Sequence, residues 1–170
     1  MRYKNIQYYV EGEDDKKVVD TLRLKMRLIK TGKVHVLNVI EEEIPDMRLR
    51  TLSSGTLVVL VFDTDTGKTD VLFKNLSKLS KHPSVAAIAA VPQVRNLEEE
   101  LVRSCNIKKI EDLLNSKSKK DFKSDIIRIS NLDAKLREHQ FDISRFWASL
   151  PPGPYKAAGN QAQTIKETHK

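Results

Sequence analysis

Residues 57–62 read LVVLVF, six apolar side chains without interruption, and Asp63-Thr64-Asp65-Thr66-Gly67 comes directly after them. A short continuous apolar run of this kind is the pattern of a strand covered on both faces, as in a parallel sheet. Parallel neighbours need crossover connections, so the rest of the chain has to supply strands and helices in alternation. It does. Ile6–Val10 is β-prone and ends at Glu11-Gly12; Val34–Ile40 is apolar and β-branched; Val85–Val91 (VAAIAAV) is a fourth buried run, closed by Pro92. Between them, Glu13, Asp14 and Asp15 open a helix, its core positions continuing to about Lys30 with Thr31-Gly32 as its stop. Acidic residues in a first turn complement the helix dipole. A short helix is expected after Pro45, a longer one from about Thr69 to Lys81, and one capped by Asn96 that runs to about Cys105. The fold class is therefore α/β, a roughly four-stranded, largely parallel sheet flanked by helices, in which ligands gather at the carboxyl ends of the strands.

Beyond residue 105 the alternation stops. Ile107–Leu114, Asp121–Ser130, Asn131–His139 and Phe141–Leu150 suggest short helices, the last carrying Phe146 and Trp147, with Ser116–Lys120 as a basic spacer. Pro151-Pro152-Gly153-Pro154 breaks the pattern, and the residues after it have little to bury. The expected organisation is an α/β domain over 1–105, a basic helical appendage over 106–150 and a flexible tail over 151–170. No apolar run approaches the roughly 18 residues of a membrane span. MRYKNIQYYVEGEDD turns acidic where a signal peptide needs apolar residues, and the one cysteine, Cys105, excludes an intramolecular disulfide or a multi-cysteine zinc site. A soluble, cytoplasmic chain with no membrane partner is expected.

The formal net charge of +7 is unevenly spread. Residues 1–100 carry sixteen basic and fifteen acidic side chains; residues 101–170 carry fourteen and eight. That asymmetry suits a polyanion-binding appendage on a nearly neutral domain, and equally a lysine-rich solvated surface.

Carboxylates cluster where strands end: Glu11 after the first, Asp63 and Asp65 after the third, and Glu98, Glu99 and Glu100 one loop beyond the fourth. Acids at i and i+2 just past a buried strand can converge on one hard cation, and Mg²⁺ takes a few carboxylate oxygens while keeping several waters. Phosphodiester chemistry needs such a cation as Lewis acid and a carboxylate as general acid or base. Helix capping is the competing account, and it is stronger for Asp14 and Asp15 than for the Asp63/Asp65 pair. Two other readings of DTDTGKT fail: a GxxxxGK[ST] phosphate loop needs glycine where Phe62 stands, and a calcium-binding helix-loop-helix needs an acid where Lys74 stands. A haloacid-dehalogenase-type phosphatase lacks its late acidic pair in VAAIAAVPQVRN.

With Glu11 ending the first strand in YYVEGEDDKKVVDTL and Asp63-x-Asp65 ending the third in VLVFDTDTG, the chain resembles a Toprim domain over roughly residues 4–104. That fold is shared by topoisomerases, primases, recombination proteins, ribosomal-RNA maturases and OLD-type nucleases. The resemblance implies that Glu11 is the general acid or base and that Asp63 and Asp65 hold Mg²⁺, with Mn²⁺ as an alternative. It further implies that Asp15 is an added ligand and that one acid of the 98–100 run, Glu98 among them, supplies a late carboxylate. The third acid of a DxDxD pattern is replaced by Gly67, which sets this chain nearer the small nuclease-like members. The implied activity is Mg²⁺-dependent phosphodiester hydrolysis on DNA or RNA, in nucleic-acid processing or defence. The alternative is a Toprim module that binds nucleic acid, or a protein partner, without turnover. Lys68, beside the DxD, is a candidate phosphate contact.

The basic stripe of Arg23, Arg27 and Lys30, and the run Lys117, Lys119, Lys120, Lys123 and Arg128, are further candidates for phosphate contacts, which position nucleic acid without reading it. His35, His82, His139 and His169 have no metal-ligand spacing and read as structural or surface residues. Cys105 reads as a small buried side chain, and Phe141, Phe146 and Trp147 as the small core that docks the appendage.

Overall fold

The computed structural model describes residues 3–168; Met1, Arg2, His169 and Lys170 lie outside them, and with them the reading of His169. Four strands, β1 (Asn5–Val10), β2 (Lys33–Val36), β3 (Thr56–Asp63) and β4 (Val85–Gln93), form one sheet in the order β2-β1-β3-β4, every pair parallel. Helices α1 (Glu13–Asp20), α2 (Asp46–Arg50), α3 (Asp70–Ser80) and α4 (Leu97–Ser104) follow the strands in turn, and α5 (Glu111–Leu114), α6 (Lys119–Arg128) and α7 (Leu132–Glu138) make the C-terminal helical part. This is the expected α/β class, a four-stranded parallel sheet flanked by helices with a small helical appendage, consistent with a Toprim-like fold. Among the described residues no helix is long and apolar enough to cross a membrane.

The apolar run at 57–62 lies in β3, and both faces of that strand are covered. Leu57, Val59 and Val61 pack with Tyr8, Val10, Val18, Leu22 and Leu101 on one side; Val58, Leu60 and Phe62 pack with Tyr9, Ile44, Leu72 and Leu79 on the other. Period-two alternation thus sends Tyr8 and Tyr9, adjacent in sequence, to opposite cores. The first face carries α1, α4 and the C-terminal helices; Phe122, Ile126, Leu132, Leu136, Phe146 and Trp147 belong to the same buried cluster as Val18 and Leu22. The appendage therefore completes the core over α1.

Several stretches differ from the sequence-based expectation. The first helix ends near residue 25 rather than 30. It widens into a π turn over Thr21–Lys25, with Met26 N donating to Thr21 O at 3.0 Å, and Arg27 then adopts φ 54°. Residues 28–30 are extended instead and meet the C-terminus: Lys30 N donates to Ile165 O at 2.8 Å and Glu167 N to Leu28 O at 2.9 Å. Val34–Ile40 is a strand only to Val36, because the Asn38 side chain accepts from Ile40 N at 3.0 Å and turns the chain. Residues 116–120 are only partly a spacer, since Ser118 caps α6 and Lys119 and Lys120 are its first residues. Phe141–Leu150 is not a helix: Asp142 Oδ1 accepts from Ser144 N at 2.9 Å and Ser144 Oγ at 2.7 Å, a local turn that competes with helix hydrogen bonding, and Trp147 has φ 55°.

The stretch expected to be a flexible tail is packed. Tyr155, Ala162 and Ile165 are buried, and Gln161 pairs with the edge of β4, its N donating to Ala90 O at 2.8 Å and its Oε1 accepting from Ala90 N at 2.7 Å. The strand itself also runs further than expected, through Pro92 to Gln93. A proline is tolerated there because β4 is the edge strand and needs no donor on its outer side. One irregularity sets the strand's phase. Thr56 pairs with Val85 but Leu57 with Ala87, so Ala86 is an extra residue, and from there the register runs regularly to Asp63↔Gln93.

Candidate functional site

The carboxyl ends of β1, β3 and β4 bring together Glu11, Asp63 and Gln93, and the first turn of α1 adds Asp15. The parity of each strand decides which residues meet. Asp63 continues the row Leu57, Val59, Val61, and Gln93 continues Ala87, Ala89, Val91, so both point to the face that carries α1. Gln93 is fully buried, and its Nε2 donates to Asp15 Oδ1 and to Asp63 Oδ1, both at 2.8 Å. Its Oε1 accepts from Trp147 Nε1 at 3.1 Å, which fixes the amide with its nitrogen toward the carboxylates.

Glu11 is held at both oxygens. Oε1 accepts from Asn38 Nδ2 and Oε2 from the backbone N of Asp63, each at 3.0 Å. The loop presenting Asn38 is secured by the fully buried Asn75 of α3, which donates to Val39 O at 3.0 Å and Glu42 O at 2.9 Å and accepts from Ile44 N at 2.8 Å. Asp15 is both a cap and a site residue: its Oδ2 accepts from Gly12 N at 3.0 Å while Oδ1 faces Gln93. In the loop after β3, Thr64 is buried, with Oγ1 donating to Gln93 O at 3.1 Å and accepting from Arg95 N at 2.9 Å; Asp65 is exposed, and Gly67 takes φ 73°. Thr66 Oγ1 lies 3.2 Å from Tyr155 Oη, so the C-terminal stretch also touches this loop.

Three carboxyls crowded away from water resist ionisation. Burial, reinforced by the Glu11 and Asp15 charges, pushes Asp63 up to about 9. Burial and the neighbouring Asp14 charge push Asp15 up to about 7, against the Gln93 hydrogen bond. Burial also raises Glu11, with the donors on its two oxygens opposing and the Asp65 charge adding. Among the described residues, none of Glu11, Asp15, Asp63 and Asp65 forms an ion pair.

A groove of about 380 Å³ opens beside the DxD aspartates, where Asp63, Asp65, Glu98 and Glu99 meet Lys108, Lys109, Lys119 and Lys123. Glu98 Oε1 lies 3.6 Å from Lys123 Nζ, and that carboxylate, with Asp14 and Asp63 behind it, holds the ammonium above its ordinary value. The acidic run on α4 is thereby sorted. Glu98 and Glu99 line the groove, whereas Glu100 is wholly buried, accepting from Val94 N at 2.9 Å, Trp147 N at 3.0 Å and Arg103 Nη2 at 2.8 Å.

Of the other residues singled out from sequence, Lys119 lines the groove; Lys117 and Lys120 are exposed at the start of α6 and do not. Lys68 is exposed and pairs with Glu41 at 3.3 Å. Arg23 and Arg27 are not brought to the site: they come after the C-terminal end of α1, about 15 Å of helix from its acidic first turn, and line a separate hollow with Leu24, Ile29 and Thr31. Cys105 is buried, as expected. Gln93, Asn38 and Trp147 are the functional-site residues that sequence reasoning missed. Ending the fourth strand at Pro92 hid Gln93; continuing the alternation of Ala87, Ala89 and Val91 by one step puts it on their face, but a neutral amide there does not announce a site.

Among the described residues, no group of three or more His, Cys, Asp or Glu side chains is placed so that together they could hold a metal ion. Amide donors take up several of the carboxylate oxygens. The donor set itself, carboxylates at strand ends with no cationic partner among the described residues, has the chemistry a hard divalent cation requires. Compared with known proteins, the chain matches no family model, no curated protein and no solved structure.

Proposed function

We propose that this chain is a Toprim-like nuclease, a Mg²⁺-dependent phosphodiester hydrolase acting on nucleic acid. The observation that carries the reading is the meeting of Glu11, Asp15 and Asp63 without an ion pair among the described residues, with Asp63 also lining a groove that four lysines line. Asp63 and Asp65, with Asp15 and a groove-lining glutamate such as Glu98, would hold the cation; Mn²⁺ suits the same oxygens. Bound there, the cation supplies Lewis-acid activation of the phosphodiester. The protein's own groups do the rest. Lys108, Lys109, Lys119 and Lys123 bind phosphates along the groove and keep the strand beside the aspartates. Glu11, raised by burial and oriented by Asn38 and the Asp63 amide, holds or takes up a proton at its carboxylate.

A second reading is favoured by one observation. The carboxylates are already satisfied by Gln93, Asn38 and backbone amides, as in a module that binds nucleic acid without turnover. One assay separates the two: single- and double-stranded DNA and RNA are incubated with the protein and Mg²⁺ or Mn²⁺, beside an Asp63→Ala/Asp65→Ala variant. Metal-dependent cleavage by the wild type, reduced about a hundredfold or more in the variant, is the expected result, because such charge stabilisation is worth about that much. Binding without cleavage by the wild type selects the second reading.

A further inference from the structure

The amide of Gln93 occupies a position that is hard to explain as packing. It is completely buried, it spends both Nε2 hydrogens on oxygens of different carboxylates, and its Oε1 is taken by the indole of Trp147, which comes from the far C-terminal part of the chain. Each of these bonds removes a freedom. With Oε1 accepting from an indole N–H, the amide cannot turn over without placing two donors against each other and its oxygen against two carboxylates. Nε2 carries partial positive charge, so the amide supplies between Asp15 and Asp63 a weak form of what a cation supplies strongly. Both bonds are charge-assisted when the carboxylates are ionised.

We propose that Gln93 is a positioning residue that clamps Asp15 and Asp63 as a pair, that Trp147 sets the direction of the clamp, and that Gln93 has to release both Oδ1 atoms before they can ligate a divalent cation. The inference rests on reading the site as a metal centre. It adds a consequence that reading does not contain: cation affinity is set against the docking of the C-terminal region, because the clamp is oriented from there. The docking is itself buried and specific. Trp147 packs against Phe146 with centroids 4.4 Å apart and the rings tilted by 34°, its backbone N donates to the buried Glu100, and Asn160 Nδ2 donates to Trp147 O at 2.9 Å.

Trp147 is the one tryptophan in the chain, so its emission reports on this hydrogen bond directly. The test is a Mg²⁺ titration of the intact protein, monitored by calorimetry and by tryptophan fluorescence, for the wild type, Gln93→Met and Asp63→Ala/Asp65→Ala. Methionine keeps the length and volume of glutamine and removes the competing donor. The expected result is saturable Mg²⁺ binding to the wild type with a change in Trp147 emission at the same midpoint. Gln93→Met is expected to bind Mg²⁺ about tenfold more tightly, since one charge-assisted competitor has gone, and the double aspartate variant is expected to bind none. Equal or weaker binding by Gln93→Met, or Mg²⁺ binding by the wild type with unchanged emission, would overturn the clamp while leaving the metal centre standing. Absence of Mg²⁺ binding to the wild type would overturn the metal centre and the clamp with it. If Gln93→Met does not fold, the wild-type emission decides.

Discussion

Burying several carboxyls against one another determines how the molecule answers pH. In an unfolded chain Asp15 and Asp63 ionise near their ordinary value of 3.8, whereas folding pushes them up to about 7 and about 9. Between those limits the folded protein keeps protons that the unfolded chain has lost, so raising the pH favours unfolding. Thermal stability without divalent ions is therefore expected to fall as the pH climbs from about 4 to about 9, the reverse of the trend for salt-bridged carboxylates. Asp63→Asn should flatten the profile, and a melting series across that pH range checks both. Asp63 and Asp65 were legible from the sequence because two acids directly after a buried strand are chemically conspicuous. Gln93 was not, because a neutral amide two residues from a valine carries no such signal until strand register places it opposite Asp63. Trp147 was legible as a core residue, and it is one; that its indole N–H faces the site depends on the turn at Asp142.

Among the elements, β4 and the C-terminal stretch belong together. An edge strand presents unpaired N–H and C=O groups that invite a further strand. Here Gln161 answers Ala90 with its backbone N and its side-chain oxygen, a two-bond imitation of a neighbouring strand. Gln161→Ala should cost about 1–3 kcal/mol, since it removes the side-chain hydrogen bonds to Ala90 N and Ala158 O. A chain ending at Leu150 should lose several kcal/mol with the burial of Tyr155, Ala162 and Ile165, and should self-associate. Denaturant unfolding and sedimentation velocity read the two outcomes. Periodicity made all four strands visible in the sequence and placed α3 and α4 within a residue or so. Periodicity cannot report where two distant segments compete for the same backbone groups. That is why the helical periodicity runs on through residues 28–30, which pair with the C-terminal stretch instead, and why residues 151–168, poor in apolar runs, resemble a tail in sequence.

At the scale of the whole molecule, charge and chemistry occupy one end. The groove draws its acids from the end of β3, the loop after it and α4, and its lysines from the segment before α5 and from α6, so the appendage and the sheet share one site. Neutralising Lys119 and Lys123 is expected to weaken nucleic-acid binding uniformly across sequences and to lower the slope of log K against log[salt] by about 2 for duplex DNA. Arg23→Ala/Arg27→Ala, at the other end of α1, is expected to leave that slope unchanged. Binding isotherms at several salt concentrations distinguish the two surfaces. The even balance of charge in the first hundred residues concealed this arrangement, because several of its acids gather at the strand ends while part of its basic charge lies elsewhere.

The extra residue near the start of β4 reaches further than its own bend. Were Ala86 paired in regular register instead of bulged out, the pairing that begins at Thr56↔Val85 would run on to set Pro92 opposite Asp63, and every later side chain of the strand would change faces. Gln93 would then arrive one position late, on the wrong side of the sheet, and the two aspartates would confront each other with nothing between them. A single alanine at the strand's beginning thus acts as a spacer in a counting device, keeping the chemistry at the strand's other end in phase.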